Sequence, residues 1–231
     1  MDDFQGRPQT IPPILRKVSD PADFIRANTL LHEPPLIPEV KLHLASEIVP
    51  IWQMTEEELE KTGLPPPFWA FAWAGGQALS RYILDHPEVV RGKRVLDFGS
   101  GSGLIAIAAM KAGAASVLAA DIDTFAVASI RLNAEVNDVS VVVTADNLVG
   151  SANPGWDIIL IGDMCYERPL AESIEIWVRG LVAGGATALI GDPGRTYLPK
   201  TGLEKLISYA VKTTRELEDT DVRNTSVWKI V

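Results

Sequence analysis

From Val95 to the C-terminus, short apolar runs alternate with segments whose apolar residues recur at helical spacing, the pattern of βαβ units on a parallel sheet. The runs predict strands at about 94–99, 116–122, 140–145, 157–163, 186–192, 210–219 and 226–231. Between them, Leu104, Ile105, Ala108 and Ala109 share one helix face, and Leu170, Ile174, Trp177, Val178 and Leu181 share another, on a helix that Gly184-Gly185 ends. The last two strands are joined by the polar segment Thr220 to Thr225, too short for a helix, so they are expected to form an antiparallel hairpin at the sheet edge.

The first 70 or so residues read differently. Pro8, Pro12, Pro13, Pro34, Pro35, Pro38, Pro50, Pro65, Pro66 and Pro67 break them into short pieces. Asp20-Pro21 predicts an N-cap and first turn for a helix to about Asn28, and Leu42 and Leu44 alternate with polar neighbours like a short strand. Thr55-Glu56-Glu57-Glu58 is a capping box, with Met54 and Leu59 at staple positions, Gly63 at the end and a solvated acidic face over Glu56–Glu60. The expected division is an N-terminal extension over 1–66, an appendage, and an α/β domain over 67–231, with helices on both faces of a seven-strand Rossmann-like sheet.

A chain of 231 residues accommodates one such domain plus the extension, and at 47% hydrophobic and 22% charged it is not disordered over its whole length. The longest apolar run, Leu104 to Met110, falls far short of the roughly 20 residues a membrane-spanning helix needs, so no membrane association is expected. With a net charge of −9 and no visible cluster of Lys and Arg, nucleic acid is a poor partner. The opening Met1-Asp2-Asp3-Phe4 has neither a secretory pattern nor an Arg-rich presequence, and the lone Cys165 has no disulfide partner within the chain; both point to a cytoplasm, of bacterial type. His32, His43 and His86 lack metal-ligand spacing, so no metal is expected.

The strand Arg94-Val95-Leu96-Asp97-Phe98 runs into Gly99-Ser100-Gly101-Ser102-Gly103, after which a helix begins. Glycines there let a ligand approach the backbone, and the free N–H groups of the helix start favour a carboxylate or phosphate. A dinucleotide fingerprint would place a small residue where Leu104 stands, so the spacing disfavours NAD. Asp97 beside the glycines suits an amino-bearing sulfonium better than a pyrophosphate. The second strand ends Ala120-Asp121-Ile122, where the carboxylate can accept from both ribose hydroxyls; Asp146-Asn147 at the end of the third can accept from an adenine amino group.

Val95 to Gly103 together with Asp121 resembles motifs I and II of seven-strand S-adenosylmethionine methyltransferases. Three further segments are similar to the protein-lysine methyltransferase family that modifies the β subunit of electron transfer flavoprotein: Pro67 to Tyr82 (including Trp73-Ala74-Gly75-Gly76), Gly162-Asp163-Met164-Cys165-Tyr166, and Gly191-Asp192-Pro193-Gly194-Arg195. The resemblance runs from about Pro65 to the C-terminus and is weaker over the first 40 or so residues. It implies S-adenosylmethionine as cofactor, S-adenosylhomocysteine as product and the flavoprotein's β subunit as protein partner. It also implies cofactor binding by Trp73, Gly75, Asp97, Gly99, Ser100, Gly101, Gly103, Asp121, Ile122, Asp146, Asn147 and Gly162. Asp163 and Tyr166 are implied as the residues that orient the acceptor amine, with Arg195 as a candidate contact to an acidic patch on the partner.

Plainer readings stand beside these. Trp69 and Trp73 fit core or lid residues, Trp177 fits its helix's apolar stripe, Cys165 has no evident histidine partner, and Pro193-Gly194 is strong turn chemistry in itself. A small-molecule methyltransferase shares the fold and cofactor and is separated by how far it encloses its acceptor. Adenine and cytosine methylases carry an Asn/Asp-Pro-Pro-aromatic turn where this chain has Asp163-Met164-Cys165-Tyr166, and the paired-glutamate loop of arginine methylases is absent. A binding module without turnover is opposed by the intact Asp97, Asp121 and Asp163. Oligomeric state is open.

Overall fold

In a computed structural model, which describes residues 20–45, 66–213 and 220–231, the chain forms a seven-stranded mixed sheet with helices on both faces and a separate two-stranded ribbon. The ribbon comes first. Helix α1 (Pro21–Asn28) is capped as expected by Asp20, which accepts from the Ala22 N–H at 2.8 Å, and strands β1 (Leu30–His32) and β2 (Leu42–Leu44) pair antiparallel. The capping box at Thr55–Glu58 lies outside the described residues.

Helix α2 (Ala74–Asp85) leads into β3 (Arg94–Phe98), α3 (Leu104–Lys111), β4 (Ser116–Ala120), α4 (Thr124–Val136), β5 (Val142–Thr144), β6 (Ile158–Gly162), α5 (Arg168–Ala183), β7 (Thr187–Asp192), β8 (Leu203–Lys212) and β9 (Val222–Ile230). The sheet order is β5-β4-β3-β6-β7-β9-β8, with β9 antiparallel to both β7 and β8. The chain reverses direction across the sheet between β3 and β6, the switch point where open α/β sheets form a crevice at their strand ends.

Strands β3, β6 and β7 are apolar almost throughout because both their faces are covered. Val95, Ile158, Leu160 and Leu189 point to a core shared with Ala78, Leu79 and Ile83 of α2, Ile105, Ala106 and Ala109 of α3, and Ile130 of α4. Leu96, Phe98, Ile159, Ile161 and Ile190 point the other way, onto Ile174, Trp177, Val178 and Leu181 of α5. Helices α2 and α4 carry no marker in the sequence reading; α3 is buried all round, from Leu104 to Ala109, rather than along one face.

The C-terminal hairpin is the expected antiparallel pair, but its bounds differ. Strand β8 starts at Leu203, seven positions before the expected 210, and β9 takes in Val222 to Thr225 of the segment expected as a polar link. The cause is solvent: β8 is an edge strand whose outward positions Glu204, Lys205 and Ser208 are polar, so its run of apolar residues is interrupted. Residues 214–219 lie outside the description.

The extension is tied into the core. Ile37, Val40, Leu42 and Leu44 pack with Leu104 and Ile107, while Phe24 and Ile25 pack with Trp69, Phe125 and Leu132. Two buried amides, Asn133 on α4 and Asn137 at its C-cap, fasten β2 and the residue before it: Asn137 Oδ1 accepts from the Lys41 N–H at 3.0 Å, and Asn133 Oδ1 accepts from the His43 N–H at 2.7 Å. Asn133 Nδ2 donates at 2.8 Å to the Ser102 carbonyl, so one buried side chain links β2 to the glycine loop. An unsatisfied buried amide costs about 1–3 kcal/mol, so this link fixes the loop as well as the ribbon.

Candidate active site

The glycine loop is held by the strand it leaves and the strand beside it. The Gly99 and Ser100 N–H groups donate to the Ala120 carbonyl at 2.9 and 3.2 Å, and Gly103 N–H donates to the Ser100 carbonyl at 2.8 Å. Gly99, Gly101 and Gly103 all have positive φ, 67°, 54° and 82°. They differ in what surrounds them. A Cβ on Gly99 would strike Met164, one on Gly103 would lie 3.2 Å from the Ile130 backbone, and one on Gly101 would meet nothing nearer than the Trp69 Cα at 4.0 Å. Gly101 is therefore the loop glycine that faces open space, the place where a ligand can lie against bare backbone.

Two carboxylates flank it. Asp121 Oδ2 accepts from the Gly101 N–H at 2.8 Å and its Oδ1 from the Asp123 N–H at 3.0 Å, which aims the group across the loop; burial pushes it above the usual carboxylate range. Asp97 is sealed at the floor, where its Oδ2 accepts from Ser100 Oγ at 2.5 Å and from the Ala106 N–H at 3.0 Å. Burial, only partly offset by those two bonds, pushes Asp97 up to about 7, and its Oδ1 is buried with no hydrogen-bond partner. An orphaned carboxylate oxygen suits a water or an ammonium group. Ile122, 72% exposed beside Asp121, offers an apolar surface of the kind an aromatic base covers. The arrangement fits a nucleoside carrying an amino group. Asp146 and Asn147 instead bond within their own turn: Asp146 accepts from Thr144 Oγ1 at 2.7 Å and Asn147 from the Val149 N–H at 3.1 Å.

The second half of the site lies at the ends of β6 and β7. Asp163 has the left-handed φ of 58°, rare for a residue with a side chain, and its carboxylate is almost wholly buried. Its Oδ2 accepts from the Gly75 N–H at the start of α2, and its Oδ1 faces Arg195 Nε and Nη2, each at 2.8 Å. Asp163 thus caps a helix that began 88 residues earlier. Gly75 and Gly191 allow this approach, since a Cβ on either would collide with the other's carbonyl; one on Gly162 would press on Ile105 and Gly76. The backbones of Gly75 and Gly162, expected to touch a cofactor, are engaged in this packing.

The segment before α2 crosses the cleft as a strap. Trp69 is buried and stacks on Phe125 with ring centroids 6.0 Å apart, anchoring the strap beside Gly101. Phe68, 48% exposed, and Tyr166, 44% exposed, meet at 5.8 Å. Trp73 lies 5.9 Å from Phe68 and 5.8 Å from Phe71, bonds its Nε1–H to the Phe68 carbonyl at 2.9 Å, and has the Arg195 guanidinium 5.9 Å from its ring. Phe68, Phe71 and Met164 are site residues that the sequence reading did not single out; Phe68 and Phe71 stand inside the quoted Pro67–Tyr82 segment, but nothing in their spacing shows them meeting Tyr166 or Trp73. Tyr166 is pushed above its ordinary value by burial and by Glu167 and Asp121, so its phenol stays protonated. Cys165 is buried and pushed up to about 12, an inert thiol at neutral pH.

Among the described residues no group of His, Cys, Asp and Glu forms a metal site, and no helix is long and apolar enough to cross a membrane. Residues 77–161 match the family model described as ribosomal protein L11 methyltransferase (PrmA). The fold is shared with a magnesium protoporphyrin IX methyltransferase from Synechocystis PCC 6803, at a TM-score of 0.50 and 14% identity over 67% of this chain and 78% of that one. The similarity extends much further in curated relatives. The electron transfer flavoprotein beta subunit lysine methyltransferase of Xenopus laevis is 39% identical over 90% of this chain and 86% of its own, and that of Homo sapiens is 38% identical over 89% and 80%. Likeness at that level over about nine-tenths of the chain leaves one conclusion: the chain belongs to the electron transfer flavoprotein beta subunit lysine methyltransferase family.

Proposed function

We propose that this protein is an S-adenosylmethionine-dependent protein-lysine N-methyltransferase whose substrate is the β subunit of electron transfer flavoprotein. The substrate follows from what its relatives are named for. The observation that carries the protein-directed chemistry is an exposed aromatic rim: Phe68 and Tyr166 meet with ring centroids 5.8 Å apart and are each nearly half exposed, with Tyr166 close in the chain to the buried Asp163. An exposed aromatic rim offers its faces to the stem of a side chain projecting from a protein surface.

When bound, S-adenosylmethionine supplies a methyl group already activated by a positively charged sulfur, so the enzyme's tasks are alignment and exclusion of water. The open face of Gly101 would take the amino-acid end, with Asp97 Oδ1 as the acceptor for its ammonium group. Asp121 would hold the ribose hydroxyls, and the exposed Ile122 would lie against the base. At the other end Trp73, Phe68 and Tyr166 line the path of the lysine, whose aliphatic stem suits aromatic faces. Asp163 and the Tyr166 hydroxyl orient the amine so that its lone pair points at the methyl group. The site's compartment in this reading is the cytoplasm, in keeping with a single reduced cysteine.

The test is incubation of the protein with methyl-labelled S-adenosylmethionine and, separately, purified flavoprotein β subunit, ribosomal protein L11 and a low-molecular-weight metabolite extract, followed by mass spectrometry. Label is expected on lysine side chains of the flavoprotein subunit. Label on L11 or in the metabolite fraction, with none on the flavoprotein, overturns the substrate.

A further inference from the structure

Four carboxylates lie at or near the C-terminal ends of neighbouring strands: Asp97 within β3, Asp121 after β4, Asp163 after β6 and Asp192 at the end of β7. Both the cofactor's sulfonium and a protonated lysine are cations, so an uncompensated cluster would bind them well and hold the lysine as its unreactive ammonium ion. An opposite charge within about 4–6 Å favours the charged form of a titrating group by 1–3 pKa units. A free lysine already titrates near 10.4. Attraction to a bare carboxylate works against nucleophilicity.

Arg195 is built into the place where it removes that conflict. Asp192 Oδ1 accepts from the N–H groups of Gly194 and Arg195 at 2.7 Å each, which turns the chain sharply after β7. The guanidinium comes back over the face of Trp73 and meets Asp163 Oδ1 through Nε and Nη2. The two side chains are 20% and 7% exposed, so solvent screens the pair weakly. Arginine keeps its charge at any pH the fold survives. The groups set against this pair are the Gly75 N–H from α2, Trp73 from the strap, Asp192 at the end of β7, whose carboxyl is raised by burial and lowered in part by Arg195, and the protonated Cys165 thiol after β6, raised by burial and by Asp192 and Asp163.

Resting on the methyltransferase reading above, we propose that Arg195 is a positioning residue for the transfer: by neutralising Asp163 it favours the unprotonated acceptor lysine, while Asp163 keeps the lone pairs that orient the amine. The bound ammonium loses one proton to water. Its lone pair forms the new N–C bond as the C–S pair returns to sulfur, the positive charge passes from sulfur to nitrogen, and a second proton leaves to water from the methylated amine. This role differs from the one that the sequence suggested for Arg195, a contact to an acidic patch on the partner.

The experiment compares full-length wild type with R195Q and R195K, with binding of S-adenosylhomocysteine confirming an intact cleft. In the wild type, single-turnover methylation of the flavoprotein subunit rises with pH to a plateau. In R195Q the midpoint is expected to move up by about one unit or more, so the deficit is largest near neutrality and shrinks in alkali. R195K, which keeps the charge without the two-pronged geometry, is expected to retain the wild-type midpoint even where its plateau rate is lower. A second readout needs no protein substrate: the preference for cationic S-adenosylmethionine over neutral S-adenosylhomocysteine should increase severalfold in R195Q and not in R195K. A rate lowered equally at every pH, or a cofactor preference unchanged in R195Q, overturns the proposal. A wild type that leaves the flavoprotein unlabelled overturns the substrate assignment instead, and the cofactor preference still decides the arginine's role.

Discussion

The two halves of the cleft are made by different means. On the cofactor side, the loop from Gly99 to Gly103 and Asp121 are joined by a bond spanning 20 residues, and the backbone itself is the binding surface. On the acceptor side, the contacts reach across the chain: Asp163 to Gly75 over 88 residues, Arg195 to Asp163 over 32, and Phe68 to Tyr166 between the strap and the end of β6. The first half is set by local geometry and the second by tertiary packing. The halves should therefore fail separately: damage to one lowers turnover, damage to the other lowers cofactor affinity.

The largest effect is expected on the acceptor side. Asp163→Ala removes the amine's orienting acceptor, leaves the partly buried Arg195 without its carboxylate and takes the cap from α2. Misplacing a reacting group by about 1 Å costs on the order of 100-fold. Turnover on the flavoprotein subunit should fall by about that factor, and in Tyr166→Phe by more than about tenfold, while the calorimetric affinity for S-adenosylhomocysteine stays within about threefold of wild type. An affinity that collapses together with turnover would mean that Asp163 supports the whole cleft, and the division would be lost.

Gly101→Ala probes the other half. The new methyl group meets nothing nearer than the Trp69 Cα at 4.0 Å, so it projects into the space assigned to the cofactor, and the positive φ adds about 1 kcal/mol of strain. Cofactor affinity is expected to weaken by roughly tenfold or more, with turnover at saturating cofactor near wild type. Gly103→Ala is the contrast within one loop: its methyl group presses on the Ile130 backbone, so the melting temperature should fall further than in Gly101→Ala. Equal losses of affinity and stability in the two variants would break the distinction.

The same division explains what the sequence made legible. Strand β3, the loop and Asp121 are contiguous or set by the length of one βα unit, so their spacing alone announces a ligand-binding turn. Apolar runs located β3, β4, β6 and β7 to within a few residues because both faces of these strands are buried. The edge strand β8 blurred where polar residues face water. On the acceptor side, resemblance singled out Trp73, Asp163, Tyr166 and Arg195, but no spacing rule predicts that Arg195 turns back onto Asp163 or that Gly75 and Gly191 touch. Phe68 looked like one aromatic in a hydrophobic segment; its neighbour Trp69 is the one that is buried. Asn133 gave no signal at all, since a polar residue on an amphipathic helix is normally solvated, and here it is sealed between β2 and the loop.

The smallest effect concerns Asp97, which gives the cofactor half a pH dependence of its own, separate from the one that Arg195 and Asp163 set for turnover. Burial raises this carboxyl from its ordinary value of 3.8 to about 7. In the free protein it therefore binds a proton more tightly when folded than when unfolded. Its contribution to stability is greatest below about pH 4 and is lost as pH rises through about 7. Cofactor binding reverses the preference, because an ammonium group at Oδ1 favours the carboxylate. Binding should then release a proton below neutrality, and affinity for S-adenosylhomocysteine should tighten as pH rises from about 6 to about 8, by up to about tenfold. Calorimetry in buffers of different ionisation enthalpy measures the proton directly. Asp97→Asn, close in shape but unable to titrate, should flatten the pH dependence and abolish the proton release while leaving the midpoint of the turnover profile where Arg195 and Asp163 set it. A shifted turnover midpoint in Asp97→Asn would show the two halves coupled through the field of the cleft, at a separation over which their packing is independent.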